Sequence, residues 1–299
     1  MKRNNIITLG VLAMGATTSA FSGTEMDVLK DRITALETAA SATTISGELS
    51  AEYTSSGKTA WGDAKLTISH AVNEPFDGSV TIKRAGSDDA NNDTIIFDEA
   101  MINYNNENFS ASIGRIGVPF GGFATGMITD PLTKGMTGAD IGGKDLIMLA
   151  TDIGGIEVSA YSYKDTNNDS GFTIGYATDM FSVGYDHFDD GTSGIGKSKA
   201  MRAGFDAGNG MSVAYEKVTM STTGVDLVGT HVEAAYAHTL AGMDANIVFA
   251  KSEEDEGANS DQSGFTYSMA PAEGVTFAIE RNKVKSASAV NTAKLTYEF

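Results

Sequence analysis

Residues 191–198 read GTSGIGKS and match the P-loop pattern, in which glycines and a lysine surround the phosphates of a nucleotide. That chemistry requires a helix directly after the loop, with its N-terminus facing the phosphates. Residues 199–205 instead alternate between polar and apolar side chains, which predicts a β-strand. The match is therefore interpreted as accidental, and no nucleotide cofactor is predicted.

The side chains that bind metals or act as nucleophiles are few and scattered. His231 and His238 lie on one predicted strand with opposite parity, so they cannot share a metal ion. The chain has no cysteine, which excludes disulfides, thiolate chemistry and cysteine-based zinc sites. No G-x-S-x-G or H-E-x-x-H motif occurs, and nothing indicates a Ser/His constellation. The sequence therefore predicts neither an enzyme nor a cofactor.

The charge balance limits the classes of partner. Lys and Arg number 21 against 39 Asp and Glu, a formal net charge of -18. Nucleic-acid binding needs a basic surface, so this composition excludes a general nucleic-acid binder. Past the N-terminus no run of about 18 apolar residues occurs, which excludes helical membrane spans. A soluble acidic domain and a transmembrane β-barrel remain, because a barrel hides its lipid face in alternation.

The N-terminal residues 1–20 have the pattern of a secretory signal peptide. Lys2 and Arg3 precede a mostly apolar stretch, and residues 18–20 offer small side chains for cleavage. We therefore expect the chain to be exported.

Residues 21–42 are predicted to form a short periplasmic coiled-coil helix. Apolar side chains at positions 26, 29, 33, 36 and 40 are spaced by 3, 4, 3 and 4 residues, as in a coiled-coil seam. Residues 32–37 also resemble a short signature of trimeric coiled coils. Two heptads are marginal alone, so a single amphipathic linker helix is the alternative. The residues predicted to direct trimerisation are Leu29, Arg32, Ile33, Leu36 and Glu37.

From residue 43 to 299 the hydrophobic period changes to two, which predicts an all-β domain. Short alternating segments are separated by Gly, Asn and Asp, and the four prolines lie outside these segments or at their ends. The sixteen predicted strands are near 44–53, 60–72, 78–85, 94–105, 107–118, 144–152, 154–163, 170–178, 180–188, 199–207, 209–218, 229–240, 242–251, 262–270, 273–282 and 291–299.

The connections between the predicted strands alternate between tight turns and mostly longer loops. This layout is typical of a transmembrane antiparallel β-barrel in the bacterial outer membrane, with its tight turns in the periplasm. The chain ends in an alternating strand, Leu295, Tyr297 and Phe299, which resembles the C-terminal assembly signal of such barrels. We therefore expect an outer-membrane barrel in contact with lipid and lipopolysaccharide.

Alternation also assigns the charged residues to the barrel interior. Nine acids face four bases there, counting Glu298, which predicts a water-filled path with a weak preference for cations. Ion pairing that fills the lumen is the alternative. Asp98 and Glu99 are adjacent, so one of them must point outward or occupy a bulge. The other predicted lumen residues are Glu48, Glu52, Lys65, Lys83, Asp186, Arg202, Asp206, Glu216, Glu233, Asp244, Glu280 and Lys294.

The longest connection, residues 119–143, is apolar for a loop exposed to solvent. We expect it to pack against the inner wall and narrow the pore, as the loop at this position does in trimeric porins of this size. Contact with a neighbouring subunit is the alternative. The candidate constriction charges are Arg115, Asp130, Lys134, Asp140 and Lys144.

Two short motifs carry a family resemblance. Residues 118–121 (VPFG) and 128–133 (ITDPLT) resemble the outer-membrane siderophore porins named for legiobactin uptake, and the similarity covers residues 109–145. The resemblance implies a porin for small hydrophilic solutes or ions, and ferric-siderophore uptake as one alternative. A structural or adhesive barrel linked to the periplasm by a homotrimeric coiled coil is the other.

Overall fold

The computed structural model describes residues 30, 32, 42–57, 59–73, 75–85, 94–121, 125–135, 143–164, 168–189, 195–222, 225–255 and 261–299. The predicted signal peptide and four of the predicted trimerisation residues, Leu29, Ile33, Leu36 and Glu37, lie outside these ranges. Lys30 and Arg32 are helical and exposed. Among the described residues, no helix has the length and apolar character needed to span a membrane.

Residues from Thr43 onward form a closed barrel of sixteen antiparallel strands in which sequence neighbours pair and β1 pairs with β16. This confirms the predicted fold class. The strands are β1 (Thr43–Thr54), β2 (Thr59–Asn73), β3 (Phe76–Ala85), β4 (Thr94–Asn105), β5 (Ser110–Gly117), β6 (Gly143–Ile153), β7 (Ile156–Lys164), β8 (Asn168–Ala177), β9 (Phe181–Asp189), β10 (Ile195–Asp206), β11 (Met211–Thr222), β12 (Val225–Leu240), β13 (Met243–Glu254), β14 (Gln262–Ala272), β15 (Val275–Val284) and β16 (Val290–Glu298).

The outer surface of the barrel is apolar because alternate positions of the strands carry large hydrophobic side chains. Ile95, Phe97, Ile153 and Phe249 are between 60% and 76% exposed. An apolar surface that surrounds a whole domain is not compatible with water, and it matches the lipid face of a membrane barrel. The sequence alternation therefore sorts lipid-facing residues from lumen residues.

The two ends of the barrel differ. Seven short connections form one end, which we call the short-turn end, and β5 ends and β6 begins at the opposite, long-loop end. Outward-facing aromatic pairs lie near the short-turn end, including Phe76 with Tyr104 and Tyr176 with Phe181. Such girdles mark the membrane–water interface of outer-membrane barrels.

The connection between β11 and β12 is shorter than predicted, because both strands continue pairing as far as Thr222 and Val225.

The barrel closes through hydrogen bonds between Gly47 and Phe299. The Gly47 N–H donates to the Phe299 carbonyl at 3.0 Å, and the Phe299 N–H donates to the Gly47 carbonyl at 3.1 Å. A Cβ atom at position 47 would lie 2.6 Å from the Phe299 ring. Glycine at this position is therefore what allows the aromatic ring to cover the seam between β1 and β16.

Two β-bulges add charged residues to the interior. Thr81 pairs with Glu99 and Ile82 with Phe97, so Asp98 is the extra residue of a bulge in β4. The bulge alternative for the adjacent acids is therefore correct. A second bulge in β2 lies opposite Ser50, whose hydroxyl accepts the Asp63 N–H at 2.6 Å. Bulges shift the parity of the residues that follow, as these two do.

Part of the longest connection lies inside the barrel. We call residues 118–121 and 125–135 the inner segment; it ends in a single helical turn, α1 (Leu132–Gly135), which packs against β11, β12 and β13. Val118 and Phe120 are buried, and the Phe120 ring lies 6.1 Å from that of Phe188. The buried apolar cluster of the molecule forms here, between the inner segment and the wall.

Candidate functional site

All thirteen predicted lumen residues, Glu298 included, lie on the inward-facing side of the strands. The strand register pairs them with one another or with other inward residues: Glu48 lies opposite Lys65, Glu52 opposite Lys294, and Arg202 opposite Glu216. They fall into two groups, those buried beneath the inner segment and those whose side chains remain accessible. Asp186, Glu216, Glu233 and Glu280 are buried beneath the inner segment, on what we call the covered wall, β9 to β15.

The first residue of the covered wall that binds the inner segment is Asp186. One of its oxygens accepts the Gly121 N–H at 2.9 Å, and the other accepts Nη2 of Arg202 at 2.7 Å. Asp186 has no exposed surface. Its carboxylate therefore has a cation on one side and a backbone amide of the inner segment on the other.

Glu233 provides the second contact. Its two oxygens accept the Thr125 hydroxyl at 2.5 Å and the Gly126 N–H at 2.9 Å. A side chain at position 126 would meet Val248, since a Cβ built there lies 2.6 Å from Val248 Cγ2. The glycine at this position lets the backbone of the inner segment approach the wall closely.

Glu280 makes the largest set of contacts. Its carboxylate accepts the Ile128 N–H at 2.5 Å, the Thr129 N–H at 3.1 Å and the Thr129 hydroxyl at 2.5 Å. The Thr266 hydroxyl on the neighbouring strand donates to the same carboxylate at 2.9 Å. Hydrogen bonds to charged groups each contribute about 1.5–3 kcal/mol, so Glu280 is the strongest single hold on the inner segment.

The predicted constriction residues Asp130 and Lys134 lie on the face of the inner segment turned away from the wall. Thr133 between them is buried, whereas the Asp130 and Lys134 side chains are half exposed or more. They form an ion pair, with Lys134 Nζ 2.8 Å from Asp130 Oδ2. Lys144 is on the inward parity of β6, opposite Ile116. Asp140 lies outside the described residues.

The prediction for Arg115 is wrong. Arg115 pairs with Asp145, two positions beyond the pair Ile113 and Ile147, whose side chains are both more than half exposed on the outer surface. Arg115 and Asp145 therefore occupy the outward parity. Arg115 lies near the end of its strand, two residues from the outward Ile113. Alternation along the strand therefore directs its side chain outward, although the loop that comes next turns inward.

The opposite side of the lumen, β16 and β1 to β4, carries accessible ion pairs, and we call it the open wall. Lys294 Nζ lies 3.4 Å from Glu52 and 3.7 Å from Asp63, and Lys65 Nζ lies 3.5 Å from Asp63. These side chains are 22% to 43% exposed although they face inward. Lys83 pairs with Asp98 at 2.5 Å. Water therefore reaches the charged residues of the open wall.

A Ser/His/Glu group is present, contrary to the sequence expectation. His231 Nδ1 lies 2.7 Å from the Ser252 hydroxyl oxygen, and His231 Nε2 lies 3.6 Å from Glu233. Ser252 and His231 are 3% and 2% exposed, so no substrate reaches the hydroxyl. Glu233 already accepts two hydrogen bonds from the inner segment. The group is therefore part of the support beneath that segment, and only its spacing across β12 and β13 resembles catalysis.

The remaining candidates from the sequence are the P-loop motif and the histidines considered as metal ligands. Ile195–Asp206 is strand β10 and no helix follows the glycine-rich stretch, so the nucleotide motif lacks its structural context. No group of three or more potential metal ligands occurs within the described residues. His231 faces inward and His238 outward.

The barrel has the same fold as bacterial porins of known structure. No protein-family profile matches the sequence, and no curated protein is significantly similar to it. Two mutants of Rhodopseudomonas blastica porin superpose with TM-scores of 0.67 and 0.66 at 13% identity, over 86% of this chain and all of theirs. OmpT of Vibrio cholerae, an outer membrane protein solved with a loop deletion, superposes with a TM-score of 0.60 at 12% identity over the same shares. At this identity the similarity shows a shared fold.

Proposed function

We propose that this protein is an outer-membrane porin that allows passive diffusion of small hydrophilic solutes. The observation that carries the proposal is the division of the lumen: the inner segment covers one wall, while the charged residues of the open wall keep contact with water. Sixteen-stranded barrels are wide enough for an aqueous channel. The inner segment then narrows the channel, and its exposed pair, Asp130 and Lys134, lies at the constriction with Lys144. The part that Asp140 plays there stays a prediction from the sequence.

The weak cation preference rests on fewer acids than the sequence suggested. Four inward acids are buried under the inner segment instead of facing the solute path, and three of them, Asp186, Glu233 and Glu280, accept hydrogen bonds from it. Asp63 and Asp98 replace part of this charge on the open wall, but both are paired with lysines. The acids that remain accessible, Glu48, Asp206 and Asp244 among them, give a weak negative field that salt screens.

Single-channel recording in planar bilayers tests both parts of the proposal. We expect stepwise conductance, and a reversal potential across a potassium chloride gradient that indicates cation preference at low salt. The preference should shrink at high salt, because the Debye length falls from about 10 Å at 0.1 M to about 3 Å at 1 M. Asp130→Asn with Asp140→Asn should lower it further. A barrel that passes no current would favour the structural or adhesive alternative, and anion preference at low salt would refute the charge argument.

We also propose that residues 21–42 assist trimerisation. Three barrels packed side by side would hold three short helices near one another, which supplies the high effective concentration that a two-heptad coil requires. Ile33→Asp places a charge in the seam and should weaken the detergent-resistant trimer at least about tenfold, because an unpaired buried charge is costly. The control is Thr34→Asp, which adds the same charge outside the seam. A monomeric wild-type mass would contradict the proposal.

Ferric-siderophore uptake remains the second candidate function, and it rests on the sequence resemblance over residues 109–145. Several of the residues that carry the resemblance have structural roles here: Val118, Phe120 and Thr133 are buried, and Thr129 binds Glu280. The motif therefore accounts for how the inner segment is held against the wall. Conductance block by a ferric siderophore, absent with the iron-free compound, would support this candidate over general diffusion.

A further inference from the structure

The outward-facing bases of the barrel are distributed unevenly along its axis. Among the described strands, every lysine and arginine on the outward parity lies in the half of its strand nearer the long-loop end, as Lys199, Lys217 and Lys251 illustrate. In the half nearer the short-turn end, the outward positions of the described strands carry no lysine or arginine. The protein has a net charge of -18, yet its outward-facing bases are confined to one level of the lipid-facing surface.

The densest part of this distribution lies on β13, β14 and β15, and we call Lys251, Ser263, Arg281 and Lys283 the basic patch. Ser263 pairs with Lys251 on one side and with Lys283 on the other. Neighbouring strands are about 4.8 Å apart, so the two lysines start about 10 Å apart with a hydroxyl between them. Arg281 faces outward two residues below Lys283, and all four side chains are exposed.

The charge of the basic patch is only partly neutralised by neighbouring acids. Glu253 forms an ion pair with Lys251, and both side chains remain half exposed or more. The nearby Asp261 is bound by Lys285 at 2.9 Å, which also lowers the pKa of the Asp261 carboxyl. Three bases against one acid leave a positive surface with a hydroxyl donor, a combination that suits phosphate oxygens.

Large apolar side chains lie directly below Lys251, Ser263 and Lys283, in the row that also contains Arg281. Phe249 and Phe265 form an aromatic pair with ring centroids 6.2 Å apart, and Ile279 is 43% exposed beside them. A ligand that satisfies both levels has phosphate groups above and hydrocarbon chains below. A free phosphate or an acidic peptide uses only the upper level.

We propose that the basic patch binds the phosphate groups of lipopolysaccharide in the outer leaflet, with the acyl chains lying on Phe249, Phe265 and Ile279. The inference rests on the outer-membrane placement given under the proposed function, and it is independent of channel activity. The side chains contact the phosphates directly, so no bridging divalent cation is required. The long-loop end is the one that faces this leaflet in an outer-membrane barrel.

Binding of purified lipid A to the detergent-solubilised full barrel, with a chelator present, tests the proposal. The triple variant Lys251→Gln, Arg281→Gln, Lys283→Gln should bind diphosphorylated lipid A at least about tenfold more weakly, since each base near an anionic lipid surface contributes to affinity. Dephosphorylated lipid A should bind wild type as weakly. The matched control is Lys65→Gln, Lys83→Gln, Lys294→Gln, which removes the same charge from the lumen and should retain lipid A binding.

Several results would overturn the proposal. Equal binding of dephosphorylated lipid A or of phosphatidylglycerol would show that the phosphates of lipid A are not recognised. Binding that requires added magnesium would show that a bridging cation, and not direct contact with the basic patch, holds the lipid. A change of oligomeric mass in the triple variant without a change in lipid binding would make the patch a contact between copies. Conductance of the same preparations tests the channel separately, because the outward substitutions should leave it unchanged.

Discussion

Replacing Glu280 by alanine is expected to release the inner segment from the covered wall and to raise the single-channel conductance, with larger current fluctuations. The substitution removes the acceptor for the Ile128 N–H, the Thr129 N–H and the Thr129 hydroxyl. Loss of such bonds disfavours the bound position by about 3 kcal/mol or more, a factor of roughly one hundred in the equilibrium. The measurement is the distribution of conductance steps in planar bilayers.

Two further variants separate the loss of the contact from the loss of a charge. Glu280→Gln keeps one acceptor oxygen at the same place and should give a smaller increase. Glu48→Ala removes an inward carboxylate of β1, whose register partners Lys65 and Glu298 belong to the open wall. It should leave the step size near that of wild type. An unchanged conductance in Glu280→Ala would mean that the inner segment does not narrow the path.

A designed disulfide should restore the original conductance in the Glu280→Ala variant. A Cβ built on Gly126 lies 3.5 Å from the Cβ of Val248, within the range of about 3.5–4.5 Å that disulfides require. The chain has no other cysteine, so Gly126→Cys with Val248→Cys forms a single bond. Oxidised channels should show the wild-type step, and reduction should produce the larger one.

The comparison needs the disulfide in the presence of Glu280 and each cysteine alone. With Glu280 intact, oxidation and reduction should give nearly the same conductance, because the carboxylates already hold the segment in place. The single-cysteine variants should not respond to reductant. Failure of the bond to form in the folded barrel, judged by gel mobility without reductant, would contradict the position of residue 126 against β13.

The sequence predicted the fold well because one physical constraint governs every strand. A wall with lipid outside and water inside requires alternation, so the strands and the inward position of residues such as Glu216 and Lys294 follow from parity alone. The inward path of the longest loop was predicted from its apolar residues, and the buried Phe120 agrees with this.

Other features depend on contacts that one sequence does not show. The bulges at Asp63 and Asp98 change parity locally, and the only sequence signal was the adjacent acids at 98 and 99. Arg115 was assigned by its nearness to the loop, although its strand parity directed it outward. Parity also cannot distinguish an acid that lines water from one that is buried, as Glu233 is, beneath a segment far away in the sequence.

The contacts that hold the inner segment against the wall do not involve the side chains that it exposes to the solute path. Asp186, Glu233 and Glu280 accept hydrogen bonds from the backbone amides of residues 121, 126, 128 and 129. The exposed side chains of Asp130 and Lys134 take no part in these contacts. Substitutions at the exposed positions 130 and 134 can therefore alter which solutes pass through the channel without weakening the attachment of the inner segment to the covered wall. The attachment of the inner segment and the side chains exposed to the solute path can therefore be changed separately, which makes the barrel suited to the laboratory evolution of new permeabilities.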